Sequence, residues 1–308
     1  MSSGKMHDYE IETSPELVRC LLAEQFPHWA GLPITRVASG GTDNALYRIG
    51  DDLVARLPFL PSDGQVEKEW RWLPLLAPHL PLEVPAPLAL GEPGADYPVR
   101  WSVCRWLEGE QVTRERLTDL SQAARDLAGF ILALRAIDPA GGPLYGSHNF
   151  GRGAPLATRD GDVRASLAAL RAMLPDDFDW DAAETAWAES LNAPVWDGAP
   201  LWIHGDLYGP NLLARDGRLS AVIDFGGLGV GDPACDLMVA WHLLDRGARA
   251  VFRAALDADD AMWARGRGWA LSMALIALPY YLHTNPAMVA MSRYTIAQVL
   301  GDRSHGQG

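Results

Sequence analysis

Two hydrophobic periodicities alternate along the chain, and they divide it. Near the start, Thr13-Ser14-Pro15-Glu16 supplies a hydroxyl cap, a proline in the first turn and an acid near the positive end. Leu17, Val18, Leu21, Leu22 and Phe26 follow at helical spacing. The period then shortens. Ile34–Ala38, Ala45–Ile49 and Leu53–Leu57 read as strands, separated by the turn Ser39-Gly40-Gly41-Thr42-Asp43-Asn44 and by Gly50-Asp51-Asp52. From Asp63 to Leu76 the pattern is helical again, with Val66, Trp70, Leu73 and Ala77 on one face. The proline-rich stretch Pro78–Pro87 must be extended or looped, and Val99–Trp106 reads as another strand.

Beyond Leu107-Glu108-Gly109 the pattern is mostly helical. Leu117, Leu120, Ala124, Leu127, Ile131 and Leu134 define an amphipathic helix of about twenty residues. Val163–Leu174 and Ala182–Leu191 predict shorter helices. Leu201–Ile203 and Ser220–Ile223 predict short strands flanking a loop, and helices resume at Pro233. The order predicts an α+β protein: a β-rich N-terminal lobe over residues 1–105, with 1–12 flexible, and a helical C-terminal lobe over 106–308, with 301–308 frayed. A cleft between two lobes is a common place for a ligand.

Composition narrows the class. The 308 residues are 48% hydrophobic and 21% charged, which suits globular domains rather than disorder. Lys plus Arg number 26 against 39 Asp plus Glu, a net charge of −13 that argues against nucleic-acid binding. Cys20, Cys104 and Cys235 are odd in number and widely spaced, so we expect three small buried hydrophobes in a reducing compartment. Met1–Ile11 lacks the apolar core of a signal peptide, and the longest apolar run, Ala270–Leu282, contains Pro279 and is short for a membrane span. The expectation is a cytoplasmic protein with no membrane partner and an oligomeric state left open.

The chemistry concentrates between Trp202 and Leu213, which includes His204-Gly205-Asp206 and Asn211. Asp224 follows thirteen residues after Asn211, within Val222-Ile223-Asp224-Phe225-Gly226. Phosphoryl transfer needs a carboxylate to orient an attacking hydroxyl and take its proton, and oxygen ligands for Mg²⁺. Asp206 suits the first task; Asn211 and Asp224 suit the second. Gly209-Pro210 would bend the loop so that Asp206 and Asn211 face one cavity. A competing reading makes His204, Asp206 and Asp224 the ligands of a transition metal in a hydrolase.

The pattern His-Gly-Asp-x-x-x-x-Asn followed by Ile-Asp-Phe-Gly, with Gly231-Asp232-Pro233-Ala234-Cys235-Asp236-Leu237 beyond it, resembles the aminoglycoside phosphotransferase family of the protein-kinase-like superfamily. The resemblance runs from about Ser39 to Asp236. It implies a bilobal kinase-like fold, with Asp206 as catalytic base, His204 orienting the loop and Asp236 bracing it, and Mg²⁺ on Asn211 and Asp224. Asp232 is expected to cap the helix opening at Pro233. The resemblance also implies a phosphate-covering loop that includes Ser39, Gly40, Gly41 and Asn44, although this is not Gly-x-Gly-x-x-Gly. On the third strand Arg56 stands where the kinase pattern has lysine; it keeps the charge but changes the geometry. Its partner should be Glu69, with Glu67 the competitor on the other side of the helix. Arg105 and Leu107, in Cys104-Arg105-Trp106-Leu107, resemble the adenine-binding hinge.

The implied activity is transfer of the γ-phosphate of ATP or GTP to a hydroxyl of an aminoglycoside-like or related antibiotic. A macrolide, a choline, ethanolamine or sugar acceptor, and a nucleotide-binding protein without transfer activity remain alternatives. Four acids between Asp176 and Asp181 could attract a polyamine-like antibiotic, or simply form a solvated helix start. Trp263, Trp269, Tyr280 and Tyr281 could form a platform for a sugar or macrocycle, or pack in the core.

Overall fold

The computed structural model describes residues 11–37, 43–61 and 64–304. Calls on 1–10, on Ser39, Gly40, Gly41 and Thr42, and on 305–308 lie outside these residues. The chain divides into two compact units. One comprises residues up to Gly109 together with Ala221–Ile223; the other comprises Glu110–Ser220 and Asp224 onward. The first unit thus runs past the expected boundary at 105/106.

The N-terminal unit begins with helix α1 (Pro15–Gln25), whose cap Ser14 accepts from the Leu17 N–H at 3.2 Å. Strands β1 (Ile34–Arg36), β2 (Asn44–Ile49) and β3 (Leu53–Pro58) precede helix α2 (Gln65–Leu76). Strands β4 (Pro87–Gly91) and β5 (Trp101–Arg105) complete an antiparallel sheet ordered β1-β2-β3-β5-β4. Alternation puts Ala45, Tyr47 and Ile49 of β2 onto a core shared with Leu21 and Leu22 of α1 and Trp101 and Val103 of β5. Ile11, within the stretch expected to be flexible, donates its N–H to Phe59 O at 2.9 Å and packs against this core.

Several sequence expectations change here. Strand β4 falls at the end of the segment read as extended or looped. On α2, Trp70 is 39% exposed, while Lys68 and Glu69 are buried. An ionic partner on β3, described below, overrides the apolar pattern. Cys20 is exposed on α1, and only Cys104 and Cys235 are buried.

In the C-terminal unit, β6 (Glu110–Gln111) precedes helices α3 (Leu120–Arg135), α4 (Asp160–Met173) and α5 (Trp180–Leu191). Helix α3 starts three residues after Leu117, because the Asp119 carboxylate caps it through the Gln122 N–H at 2.9 Å. Strands β7 (Leu201–Ile203), β8 (Leu212–Arg215), β9 (Arg218–Val222) and β10 (Gly229–Gly231) follow. β7 pairs with β10, and β8 lies between β6 and β9. Strands β6, β8 and β10 lie outside the strands the sequence pattern predicts. Helices α6 (Val239–His242), α7 (Arg246–Ala255), α8 (Asp260–Tyr281) and α9 (Pro286–Ser304) close the chain. Trp187, Trp202, Trp241 and Trp269 are fully buried in this unit. No helix among the described residues is long and apolar enough to cross a membrane.

Candidate active site

The motif His204-Gly205-Asp206 lies in the loop between β7 (Leu201–Ile203) and β8 (Leu212–Arg215). Gly205 adopts φ +82°, and a Cβ there would meet Gly227 O at 2.3 Å. The backbone conformation and the close approach both demand glycine at the centre of His-Gly-Asp. Two backbone donors of this loop, His204 N–H and Gly205 N–H, go to the Asp236 carboxylate at 2.9 and 2.8 Å. Asp236 is fully buried, and that burial pushes its carboxyl up to about 6 against the opposing pull of those two N–H groups and of Arg135. The Arg135 Nη2 is itself anchored on Pro233 O at 2.6 Å.

His204 is fully buried, and its ring meets Phe225 edge-on at 4.6 Å. Its Nδ1 accepts the Asp206 N–H at 3.2 Å, so the ring shapes the turn that presents Asp206. This engagement weighs against the transition-metal reading. Among the described residues no group of three or more His, Cys, Asp or Glu side chains is arranged to hold a metal ion.

Asp206 and Asn211 are brought into direct contact. The Asn211 Nδ2 donates to Asp206 O and to Asp206 Oδ2, each at 3.0 Å. With its nitrogen so used, Asn211 directs its other polar atom, Oδ1, elsewhere as a hard acceptor. Gln111 Nε2 donates to Pro210 O at 3.1 Å and ties the bend to β6. Asp224 holds φ +62°, an unusual backbone for a non-glycine residue, and its Oδ1 accepts the Gly226 N–H at 3.3 Å. The turn it opens lies against the catalytic loop: a Cβ on Gly227 would stand 3.3 Å from Asp206 Cβ. Asp232 does cap the turn at Pro233, accepting from Ala234 N–H at 2.9 Å, and also forms a buried pair with Arg265 at 2.7 Å.

In the N-terminal unit, Arg56 of β3 pairs with Glu69 of α2 through two hydrogen bonds, at 2.5 and 3.2 Å, with both side chains largely buried. Glu67 instead pairs with Arg100 at the surface. Asn44 opens β2 opposite Pro58. In the hinge segment, the Arg105 N–H donates to Ala86 O at 2.9 Å, while no hydrogen bond forms at the Leu107 N–H among the described residues.

The sequence reading did not single out Arg152. Its Nη2 lies 3.4 Å from Asp206 Oδ1, and its side chain is 9% exposed. Its only signal was an arginine bracketed by Gly151 and Gly153, both of which adopt positive φ. Nearby, Arg159 donates from Nε to Ser272 Oγ at 3.0 Å and lies over the Trp269 ring. Burial, and then the charge of Arg152, pull its guanidinium down to about 10. The acidic tract is occupied elsewhere: Asp177 pairs with Arg293, Asp179 caps α5 and Asp181 pairs with Arg171. Of the C-terminal aromatics, Trp269 is core, Trp263 packs on Trp241, and Tyr280 is 58% exposed.

A five-stranded antiparallel sheet with a strand arginine tied to a helix glutamate, and a helical unit carrying a braced His-Gly-Asp loop, define a kinase-like phosphotransferase fold. The chain belongs to the APH phosphotransferase enzyme family, whose description matches residues 34–269. Among solved structures it is similar to a GDP complex of a variant of aminoglycoside 2'-phosphotransferase-IIIa, with 18% identity, a TM-score of 0.71, and coverage of 96% of this chain and all of that one. It is also similar to the GDP and kanamycin complex of APH(2")-IIia, with 19% identity, a TM-score of 0.67 and coverage of 92% and 97%. A third similar structure is the macrolide 2'-phosphotransferase MphH from Brachybacterium faecium, with 24% identity, a TM-score of 0.58 and coverage of 93% and 97%. No curated protein matches the sequence.

Proposed function

We propose that this phosphotransferase moves the γ-phosphate of ATP or GTP onto a hydroxyl of a small molecule. The observation that carries the reading is the Asp206 carboxylate, held at Oδ2 by Asn211 in a loop pinned by His204 and Asp236. In that role Asp206 orients the acceptor hydroxyl and takes its proton. The acceptor oxygen then bonds to the γ-phosphorus as the bond from that phosphorus to the bridging oxygen breaks. The Asn211 Oδ1 and the Asp224 carboxylate are hard oxygen donors on neighbouring turns and fit Mg²⁺. Bound there, the ion would neutralise charge on the phosphates.

Arg56, steadied by Glu69, would grip phosphate oxygens bidentately where kinases use a lysine. Asn44 and the loop with Ser39, Gly40 and Gly41 would cover the phosphates. Leu107 N–H and a backbone group of Arg105 would meet the base. The acceptor we expect first is a hydroxylated antibiotic, because similar proteins are described with kanamycin and gentamicin or as macrolide phosphotransferases. Choline, ethanolamine and sugar metabolites are the alternative.

A nucleotide-consumption screen over an antibiotic panel and a metabolite panel tests this. On the substrate so found, Asp206→Ala should lower kcat roughly 10²–10⁴-fold with nucleotide binding kept. Asp224→Ala should abolish metal-dependent nucleotide binding. Unchanged turnover by Asp206→Ala would remove the base assignment.

A further inference from the structure

We propose that Arg152 and Arg159 form an anion-binding subsite beside Asp206, which takes a carboxylate or phosphate group carried by the acceptor. Two observations place positive charge there in excess. First, both guanidinium groups converge on one uncharged atom, Met273 Sδ of α8, at 2.7 Å from Arg152 Nη1 and 3.8 Å from Arg159 Nη2. The two like charges therefore stand within about 6.5 Å of each other. Second, among the described residues Arg152 forms one ion pair, with Asp206 itself, and Arg159 forms none, its nearest acidic influence being Asp162 at longer range. The buried Arg152 Nε has no hydrogen-bond partner. His242 adds no third cation: burial and the charge of Arg152 hold it neutral, down to about 3. Burying two cations against one carboxylate is unfavourable unless an anion completes the set.

The side of the carboxylate identifies which anion. Asn211, the proposed metal ligand, holds Asp206 Oδ2, whereas Arg152 approaches Oδ1. Arg152 thus meets the carboxylate oxygen that Asn211 does not hold, with Arg159 behind it across Met273 Sδ, on the side proposed for the incoming hydroxyl compound. The backbone there is well fixed. The Asn149 side chain is fully buried, and its Nδ2 donates to Arg152 O at 3.1 Å while Arg152 N–H donates to Asn149 O at 3.0 Å. The acids at Asp177, Asp179 and Asp181 engage Arg293, the start of α5 and Arg171 rather than Arg152 or Arg159. The inference rests on Asp206 being the base that meets the acceptor. It favours hydroxyl compounds bearing an acid group over polycations.

The test loads the whole protein with Mg²⁺ and the β,γ-imido analogue of ATP or GTP, so that the γ-phosphate position is filled, and titrates inorganic phosphate and then acetate by calorimetry. We expect at least one of them to bind. Arg159→Gln should weaken it at least about tenfold, and Arg159→Lys, which keeps charge without the fork, by less. The surface control Arg164→Gln should leave it unchanged. Binding of phosphate alone assigns a phosphate-bearing acceptor; binding of acetate assigns a carboxylate-bearing one. Three results overturn the proposal: neither anion binds, Arg159→Gln and Arg159→Lys both bind like wild type, or phosphate binds only when the analogue is omitted, which gives the arginines to the γ-phosphate. Failure of the analogue itself to bind sinks the nucleotide reading instead. Phosphate titrated into the nucleotide-free protein and into Arg159→Gln then still decides the arginine pair, with equal affinities overturning it.

Discussion

Asp236 offers the sharpest test of how the catalytic loop is held. Its two carboxylate oxygens satisfy the His204 and Gly205 N–H groups, in a position without solvent. Asp236→Ala would leave two buried donors without an acceptor, at about 1–3 kcal/mol each. Asp236→Asn is more informative, because it keeps one acceptor and removes the ionisation. Burial raises the carboxyl from an unfolded value near 3.8 to about 6, so the folded state binds the proton more tightly. The stabilisation this provides is complete below the unfolded value and is lost as pH rises through the folded one. Between about pH 5 and pH 7.5 wild type should therefore lose about 1.4 kcal/mol that Asp236→Asn does not lose. Urea unfolding followed by tryptophan fluorescence, at several pH values for both proteins, gives the difference directly. A wild-type-minus-variant difference that is flat with pH, or that grows in wild type's favour as pH rises, would refute the reasoning. The same variant should lower kcat with little change in nucleotide affinity, since the brace acts on Asp206 and not on the nucleotide.

Three further outcomes follow from the geometry. Glu69→Ala strands the buried Arg56 guanidinium and should cost about 3–5 kcal/mol in urea unfolding. Glu67→Ala breaks an exposed pair with Arg100 and should cost under about 1 kcal/mol; equal costs would mean that burial does not separate the two glutamates. Gly205→Ala forces a Cβ onto Gly227 O in a left-handed backbone and should cost at least about 2 kcal/mol, with activity lost before the fold.

What the sequence disclosed depended on how local the cause was. The Ser14 cap and the strands around 45 and 55 have causes within a few residues, and each is where the pattern put it. Asp206, Asn211 and Asp224 stood out because phosphoryl transfer demands those donor types, and the structure brings Asp206 and Asn211 into contact. The failures have distant causes. Trp70 looks apolar on α2, but the charge of Arg56 turned Glu69 inward and left Trp70 at the surface. β6 has two residues and pairs with β8 across about a hundred positions of chain, so no window of sequence contains the reason for it.

The same distinction governs the acceptor. Four acids in six residues are conspicuous in sequence and suggest a cation-seeking surface. Two of them pair with arginines on other helices, Asp181 with Arg171 and Asp177 with Arg293, and Asp179 caps α5. Arg152 and Arg159 are inconspicuous, seven residues apart in a loop and a short turn, yet among the described residues Asp206 is the one ion-pair partner of either. Net charge along a chain therefore misjudges the field at a site when the ion pairs are long-range. Here the overall balance of −13 coexists with two neighbouring arginines, one of them in contact with Asp206. An acceptor should be sought by the charge beside Asp206 rather than by the charge of the whole molecule, so hydroxyl compounds bearing an acid group belong in both the antibiotic and the metabolite panel.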